Sequence, residues 1–263
     1  MGKLVLGGLA FLGGLYLVAT ALLFSAQRRL IYPAPPATDQ IVPAYFADAR
    51  IGTDDGLNLR ALYRAPRGQK LVIVFFHGNG DDLAGAMAAT RMLGGAGYGL
   101  MLSEYRGYGG NPGSPSEVGL YRDGEAALSW LEGKGIPPGR IVLMGNSLGS
   151  GIATELAMRY PVAALVIVSG FTSLADVAAA QMWMFPVRWL LRDRYENAAK
   201  LPRVAAPTLL LHGTADRLIP PDHARRLKDA ARRGTLQLVP DTGHELAYLP
   251  QSQAAILRWL DIR

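Results

Sequence analysis

Residues 140–151 have the sequence RIVLMGNSLGSG, and this stretch decides the fold. The apolar, β-branched run at residues 141–144 predicts a buried strand, and a helical pattern begins after Gly149. Between them, Gly145-Asn146-Ser147-Leu148-Gly149 matches G-x-S-x-G in a strand–turn–helix context, which is the pattern of a nucleophile elbow. The two glycines lack the Cβ atoms that would collide in so sharp a turn. We therefore expect the Ser147 hydroxyl to lie above the sheet, at the positive end of a helix.

Composition narrows the class of protein. The chain has 263 residues, of which 50% are apolar, and a formal net charge of +6. This length fits one large domain or two small ones, and the apolar content predicts a folded core. Lysine and arginine do not form a run with interleaved aromatic residues, so nucleic acid is not a predicted partner, whereas a basic surface suits an anionic bilayer. The absence of cysteine excludes disulfides, cysteine nucleophiles and thiolate metal sites.

The N-terminus contains an uncharged apolar run at residues 4–24, LVLGGLAFLGGLYLVATALLF. About 20 such residues suffice to cross a bilayer. A cleaved signal peptide is the competing interpretation, but the run is longer than a usual signal core and residues 24–26 make a poor cleavage site. We favour an uncleaved transmembrane anchor over residues 1–27, and hence a membrane localisation. The proline-rich residues 28–43 are then a linker, and the main domain covers residues 44–263.

The main domain shows alternating strand and helix patterns. Two short alternating runs around Asp54-Asp55-Gly56 predict a hairpin at residues 49–63. The run LVIVFF at residues 71–76 has no polar alternation, which is typical of a strand buried on both faces of a parallel sheet. The further predicted strands are at 99–103, 141–144, 162–168, 208–211 and 235–239, and the predicted helices are at 81–93, 116–131, from the elbow to 160, 221–231 and 250–260. Repeated units of this kind predict an α/β fold with a doubly wound, mostly parallel sheet.

The connection after the strand at 162–168 is longer than usual, and we predict that residues 171–200 form a small helical cap over the elbow. Trp183 and Trp189 lie within it, near several arginines. Two interpretations of these tryptophans stay open. They could simply pack on the body of the domain, or they could line an acyl pocket or enter the interface of a bilayer beside the anchor.

A serine nucleophile requires a base and an acid that orients the base. Of the four histidines, only His244 follows the last predicted strand, so it is the candidate base. His77 and His212 each begin a loop beside a glycine and are expected to pack or to form hydrogen bonds, whereas His223 is expected to be solvated.

The candidate acid is Asp216, which follows the strand at 208–211. The carboxyl ends of parallel strands are where open α/β sheets place their sites. Asp176 is the runner-up. Asp241 is too close in sequence to His244 and is expected to be a turn residue.

The oxyanion of an acyl-transfer reaction requires two N–H donors. We expect one to be the amide of Leu148 and the other the amide of Asn79, in the loop His77-Gly78-Asn79-Gly80 after the LVIVFF strand. Read alone, this loop could be a tight turn or a weak phosphate loop, but the chain has neither G-x-G-x-x-G nor a Walker lysine. Histidine and carboxylate pairs with metal-ligand spacing are also absent from the sequence. Neither a cofactor nor a metal is predicted.

Together, HGNG (77–80), EYRGYGGNPGSPSE (104–117), GNSLGSG (145–151), HGTADRLIP (212–220) and DTGHE (241–245) resemble the motifs of a known family. The chain is similar to α/β-hydrolases of the membrane-anchored serine hydrolase group, which includes α/β-hydrolase-domain-containing proteins with lipase and protein-depalmitoylase members and is described broadly as serine aminopeptidase-like. The similarity covers nearly everything after Arg29. It implies an α/β-hydrolase fold, a triad of Ser147, Asp216 and His244, and oxyanion donors at Asn79 and Leu148. Glu104 departs from the aspartate that similar sequences carry, which concerns loop detail more than catalysis.

The sequence thus predicts a membrane-anchored serine hydrolase that cleaves ester or thioester bonds of small or acyl-lipid substrates, without a cofactor. Two alternatives remain. A peptidase of the proline-aminopeptidase kind would need cap carboxylates for a free amino terminus, and Asp176, Asp193 and Glu196 do not decide the matter. The second alternative is a non-catalytic membrane protein with this fold. The presence of Ser147, Asp216 and His244 argues against it, because packing alone does not require these three residues together.

Overall fold

The computed structural model describes residues 2–37 and 42–262, and the described residues contain an eight-stranded sheet flanked by helices. The strands are β1 (Ala47–Gly52), β2 (Asn58–Arg64), β3 (Val72–Phe76), β4 (Gly99–Ser103), β5 (Ile141–Asn146), β6 (Ala164–Val168), β7 (Thr208–Gly213) and β8 (Gly234–Val239). All the predicted strands are present, with ends shifted by up to two residues. At the site, β5 and β7 each continue two residues further than predicted, and the starts of β1 and β6 also differ by two residues.

The sheet has the strand order β1-β2-β4-β3-β5-β6-β7-β8. The first two strands form the predicted antiparallel hairpin, and β2 is also antiparallel to β4. All neighbouring pairs from β4 to β8 are parallel. The strand order reverses direction around β3, which gives the predicted doubly wound topology and brings the carboxyl ends of β3, β5, β7 and β8 to one edge.

Both faces of the sheet are covered, as the unbroken apolar run of β3 predicts. Val74 belongs to the core on one face, with Leu143 of the neighbouring strand. Phe75 points to the opposite core, with Met144. This alternation within one buried strand explains why polar residues are absent from it.

The helices lie on both faces and at the N-terminus. They are α1 (Gly2–Ile31), α2 (Leu83–Gly95), α3 (Glu117–Glu132), α4 (Gly149–Arg159), α5 (Leu174–Gln181), α6 (Val187–Leu190), α7 (Asn197–Lys200), α8 (Asp222–Ala230) and α9 (Pro250–Asp261). Helices α3, α4 and α8 contribute to one core, and α2 and α9 to the other. The side chain of Ser116 caps α3 by accepting a hydrogen bond from the Gly119 amide at 3.1 Å.

Helix α1 contains a segment, Val5–Ile31, that is long and apolar enough to cross a membrane. Most of its large apolar side chains are exposed, including Leu9, Phe11 and Leu17. The helix continues through residues 28–31, which belong to the predicted linker, and Ile31 packs against the core of the main domain. Part of that predicted linker, residues 38–41, lies outside the described residues.

Candidate active site

The turn between β5 and α4 has the strained geometry of a nucleophile elbow. Ser147 has a φ of 50°, a left-handed conformation that is uncommon for a residue with a side chain. A Cβ atom on Gly149 would collide with the backbone carbonyl of Phe76 in β3, and one on Gly145 would collide with the backbone of Gly149. Both glycines of G-x-S-x-G are therefore required by close backbone approach.

The structure brings Ser147, His244 and Asp216 into one hydrogen-bonded chain. The Nε2 atom of His244 lies 2.9 Å from Ser147 Oγ. Its Nδ1 atom lies 2.8 Å from Asp216 Oδ2. An imidazole held in this way can take the proton of the serine hydroxyl while the carboxylate fixes its tautomer and orientation.

Asp216 is held rigidly in the loop after β7. Its Oδ1 atom accepts hydrogen bonds from the amides of Leu218 and Ile219, at 3.0 and 2.9 Å. Burial opposes ionisation of this carboxyl, but the hydrogen bonds from His244 and from the Ile219 amide hold its pKa below the ordinary value. Asp216 is therefore a carboxylate whenever the imidazole needs an acceptor.

The other candidate acids are occupied elsewhere. Asp176 accepts a hydrogen bond from the Thr172 hydroxyl at 2.6 Å and forms an ion pair with Arg188. Asp241 has a φ of 53°, and its amide donates to Thr214 Oγ1 at 3.0 Å, which is the turn role expected for it.

The other three histidines contact other groups, as predicted for His77 and His212 but not for His223. His212 is buried beside Asp216, and burial lowers its pKa, so it is neutral near pH 7. His77 is fully buried, with Nδ1 2.8 Å from the Gly78 carbonyl oxygen. The prediction of a solvated His223 is wrong, since its ring is half-buried and lies 2.9 Å from the Thr172 hydroxyl.

The loop at residues 77–80 lies directly over the nucleophile. A Cβ atom on Gly78 would be 3.7 Å from the Cβ of Ser147. Asn79 and Leu148 line the same cleft as Ser147, so the structure brings both predicted oxyanion residues to the nucleophile. The Asn79 carbonyl accepts a hydrogen bond from the Tyr108 hydroxyl at 2.8 Å, which fixes the loop from behind.

Glu104 has a structural role in this loop that sequence reasoning missed. It is almost fully buried, and its Oε1 lies 2.9 Å from Nε2 of His77. The next residue, Tyr105, donates from its hydroxyl to the His77 carbonyl at 2.8 Å. The signal was available, because Glu104 directly follows β4, the strand beside β3, so both loops start at the same edge of the sheet.

Within residues 171–200, for which a cap is predicted, α5 supplies Leu174, Val177 and Ala178 to the cleft beside Ser147. This open cleft comprises about 750 Å³ and is mainly apolar. The tryptophans of the cap do not pack on the body of the domain, since Trp183 and Trp189 are 79% and 88% exposed. They also lie outside the lining of this cleft.

Within residues 2–37 and 42–262, the histidine and carboxylate side chains do not form a group of three or more that could hold a metal ion.

The chain is similar in sequence to several curated proteins. It is 39% identical over 231 residues to an uncharacterized protein of Mycobacterium tuberculosis, covering 84% of this chain and 82% of that protein. It is 30% identical over 249 residues to the alpha/beta hydrolase domain-containing protein WAV2 of Arabidopsis thaliana, covering 84% and 81%. It is 28% identical over 204 residues to the lysophosphatidylserine lipase ABHD12 of Danio rerio, covering 70% of this chain and 52% of that protein.

Solved structures show the same fold. An esterase of Pyrococcus furiosus superposes with a TM-score of 0.70 at 17% identity, over 87% of this chain and 96% of that one. A membrane phospholipase A, described as a bacterial virulence factor, superposes with a TM-score of 0.64 at 18% identity, over 99% and 98%. The family model for serine aminopeptidase, S33, matches residues 67–199. The chain therefore belongs to this serine aminopeptidase-like family of α/β-hydrolases, and it is a hydrolase with the α/β-hydrolase fold.

Proposed function

We propose that this protein is a membrane-anchored serine hydrolase that cleaves carboxylic ester or thioester bonds through an acyl-enzyme. The observation that supports this most strongly is the hydrogen-bonded chain from Ser147 through His244 to Asp216, with distances of 2.9 and 2.8 Å. Ser147 lies in a mainly apolar cleft, which suits an acyl group better than a charged group.

In the first half of the reaction, Ser147 Oγ attacks the carbonyl carbon of the substrate and its proton passes to Nε2 of His244. The amides of Asn79 and Leu148 donate to the oxyanion of the tetrahedral intermediate. When that intermediate collapses, the bond to the alcohol or thiol breaks, and the leaving group takes the proton from His244. The product is an ester of Ser147 with the acyl group.

In the second half, a water molecule attacks this ester and gives a proton to His244. The same two amides stabilise the second oxyanion. The bond to Ser147 Oγ then breaks, the serine oxygen recovers the proton, and the carboxylic acid leaves. Atoms and charges balance with water as the only co-substrate.

The relatives support ester cleavage. One relative is a lysophosphatidylserine lipase, and structures of the same fold include esterases and a membrane phospholipase A. A peptidase is less well supported, because each cap carboxylate that could take a free amino terminus has a cationic partner. Asp176 pairs with Arg188, Asp193 with Arg28, and Glu196 with Arg194.

Turnover of matched substrates tests the bond class. The purified chain should hydrolyse p-nitrophenyl butyrate and the corresponding thioester, and it should leave aminoacyl-naphthylamides intact. Faster turnover of the naphthylamides than of the esters would favour the peptidase.

The anchor is part of the same proposal. Residues 1–27 serve as an uncleaved membrane anchor, residues 28–43 connect it, and residues 44–263 form the hydrolase domain with its cap at 171–200. The apolar exposed surface of α1 supports this. A tag placed at the N-terminus should stay with the protein in the membrane fraction after alkaline extraction. A tag lost from the mature protein would indicate a cleaved signal peptide.

A further inference from the structure

A second apolar cleft lies between helix α1 and the cap. It comprises about 530 Å³ and is lined by α1 from Thr20 to Ile31 on one side and by α5, α6 and the residues around them on the other. Only Thr20 and Gln27 contribute polar side chains to its lining. Such a surface suits a hydrocarbon chain and offers little to a peptide or a sugar.

This cleft adjoins the one that contains Ser147. Five apolar residues line both clefts, namely Leu30, Ile31, Ala178, Met182 and Leu191. The C-terminal end of α1 is therefore a wall of the cleft that contains Ser147. The oxyanion loop also contacts this helix end, since the side-chain amide of Asn79 donates to the Ile31 carbonyl at 3.2 Å.

Contacts along about 18 Å of α1, from residue 16 to residue 28, fix the helix to the cap. These contacts pair Tyr16 with Met184 and Phe185, Phe24 with Arg192, Gln27 with Leu190 and Arg192, and Arg28 with Asp193. A cap that reaches Tyr16 lies beside the middle of the apolar run. It therefore enters the same bilayer leaflet as that part of the anchor.

The outer end of the cap has the surface expected of a segment in a bilayer. Trp183, Met184 and Trp189 are exposed, and the Met184 carbonyl accepts a hydrogen bond from the Tyr16 hydroxyl of α1. Exposed apolar side chains beside a membrane helix suit contact with lipid. The cleft between α1 and the cap thus has its outer end at lipid and its inner end at the nucleophile.

From this continuity we infer that the substrate is a membrane lipid with a long acyl chain, which enters laterally from the leaflet and lies along α1 with its carbonyl carbon at Ser147. This inference rests on the proposed function and extends it. Helix α1 then has two roles, since it anchors the enzyme and binds the acyl chain.

Two neighbouring residues of α1 provide a matched pair for the test. Leu23 lines the cleft, whereas Leu22 is 65% exposed and lies outside that lining. The full-length protein is reconstituted in phosphatidylcholine vesicles, and kcat/KM is measured for p-nitrophenyl palmitate and p-nitrophenyl butyrate. We expect Leu23→Trp to lower the palmitate-to-butyrate ratio by about tenfold, and Leu22→Trp to change it by less than about twofold.

A second measurement does not depend on the fold of the Leu23 variant. A palmitoyl ester with a diazirine at the end of its chain is incubated with the Ser147→Ala protein in the same vesicles and then irradiated. We expect cross-links on α1 between Thr20 and Gln27 or on the cap at Phe185. Cross-links confined to other elements would overturn the inference.

The two proposals fail in different ways. If Ser147→Ala keeps the turnover of both esters, the proposed function is wrong. If turnover depends on Ser147 but the palmitate-to-butyrate ratio is the same in all variants, the proposed function stands and the acyl path along α1 is wrong.

Discussion

The Nε2 atom of His244 lies 2.9 Å from the Oγ atom of Ser147, although the two residues are 97 positions apart in the chain. The sheet creates this contact, because the strands before the two loops, β5 and β8, end at the same edge. Asp216 reaches His244 from the loop after β7, between them in the sheet order.

Asp216→Asn should lower kcat on the order of 10⁴-fold with little change in KM, because an amide does not orient and stabilise the imidazolium of His244 as a carboxylate does. Turnover of p-nitrophenyl butyrate measures this. Asp241→Asn is the matched control, since it makes the same change in the loop that contains His244, and asparagine tolerates its positive φ. Equal loss of activity in both variants would contradict the assignment of Asp216.

The pair of His77 and Glu104 should make stability depend on pH. Burial lowers the pKa of His77, but the hydrogen bond and charge of Glu104 outweigh burial and raise it above the ordinary value. The folded state therefore binds this proton more tightly than the unfolded state does. The resulting stabilisation is complete below the unfolded pKa of about 6.5 and is lost as pH rises through the folded pKa.

Glu104→Gln tests this dependence. Urea denaturation should show a larger loss of unfolding free energy, relative to the unmodified chain, at about pH 5.5 than at about pH 9. Other titrating groups are shared by both proteins and cancel in the difference. If Glu104→Gln lowers the unfolding free energy by the same amount at both pH values, the proton on His77 does not contribute to stability.

Gly149→Ala should destabilise the fold by about 3 kcal/mol or more, because the added methyl would meet the carbonyl groups of Phe76 and His77, which are backbone and cannot move aside cheaply. Gly139→Ala provides the control, since a Cβ atom there would have no neighbour within 4 Å. Thermal unfolding compares the two. A melting temperature of Gly149→Ala equal to that of the control would contradict the close approach at the elbow.

Sequence alone predicted the strands well because their apolar runs end at glycines, as in β3 before Gly78 and in β5 at the elbow. The structure brings the three predicted site residues together for a related reason. Ser147, Asp216 and His244 each lie in a loop after a strand of the parallel part of the sheet, so the topology brings them to one edge. Their order along the chain then distinguishes the roles.

Other features depend on tertiary contacts that leave no local pattern. Leu30 and Ile31 follow two arginines at the end of the apolar run, and nothing in their spacing indicates that they line the cleft beside Ser147. The sequence also did not decide whether Trp183 and Trp189 are exposed, since burial of an aromatic residue depends on what packs against it. His223 was expected in solvent because its helix is polar, but its Nδ1 atom lies 2.9 Å from the Thr172 hydroxyl.

The central claim is that Ser147 is the nucleophile, and its reaction with a fluorophosphonate probe tests this most directly. The unmodified chain should be labelled and should lose esterase activity in step with labelling. Ser147→Ala should abolish both, whereas Ser114→Ala, which removes an exposed hydroxyl, should retain both. Labelling that persists in Ser147→Ala, with unchanged ester turnover, would contradict the account.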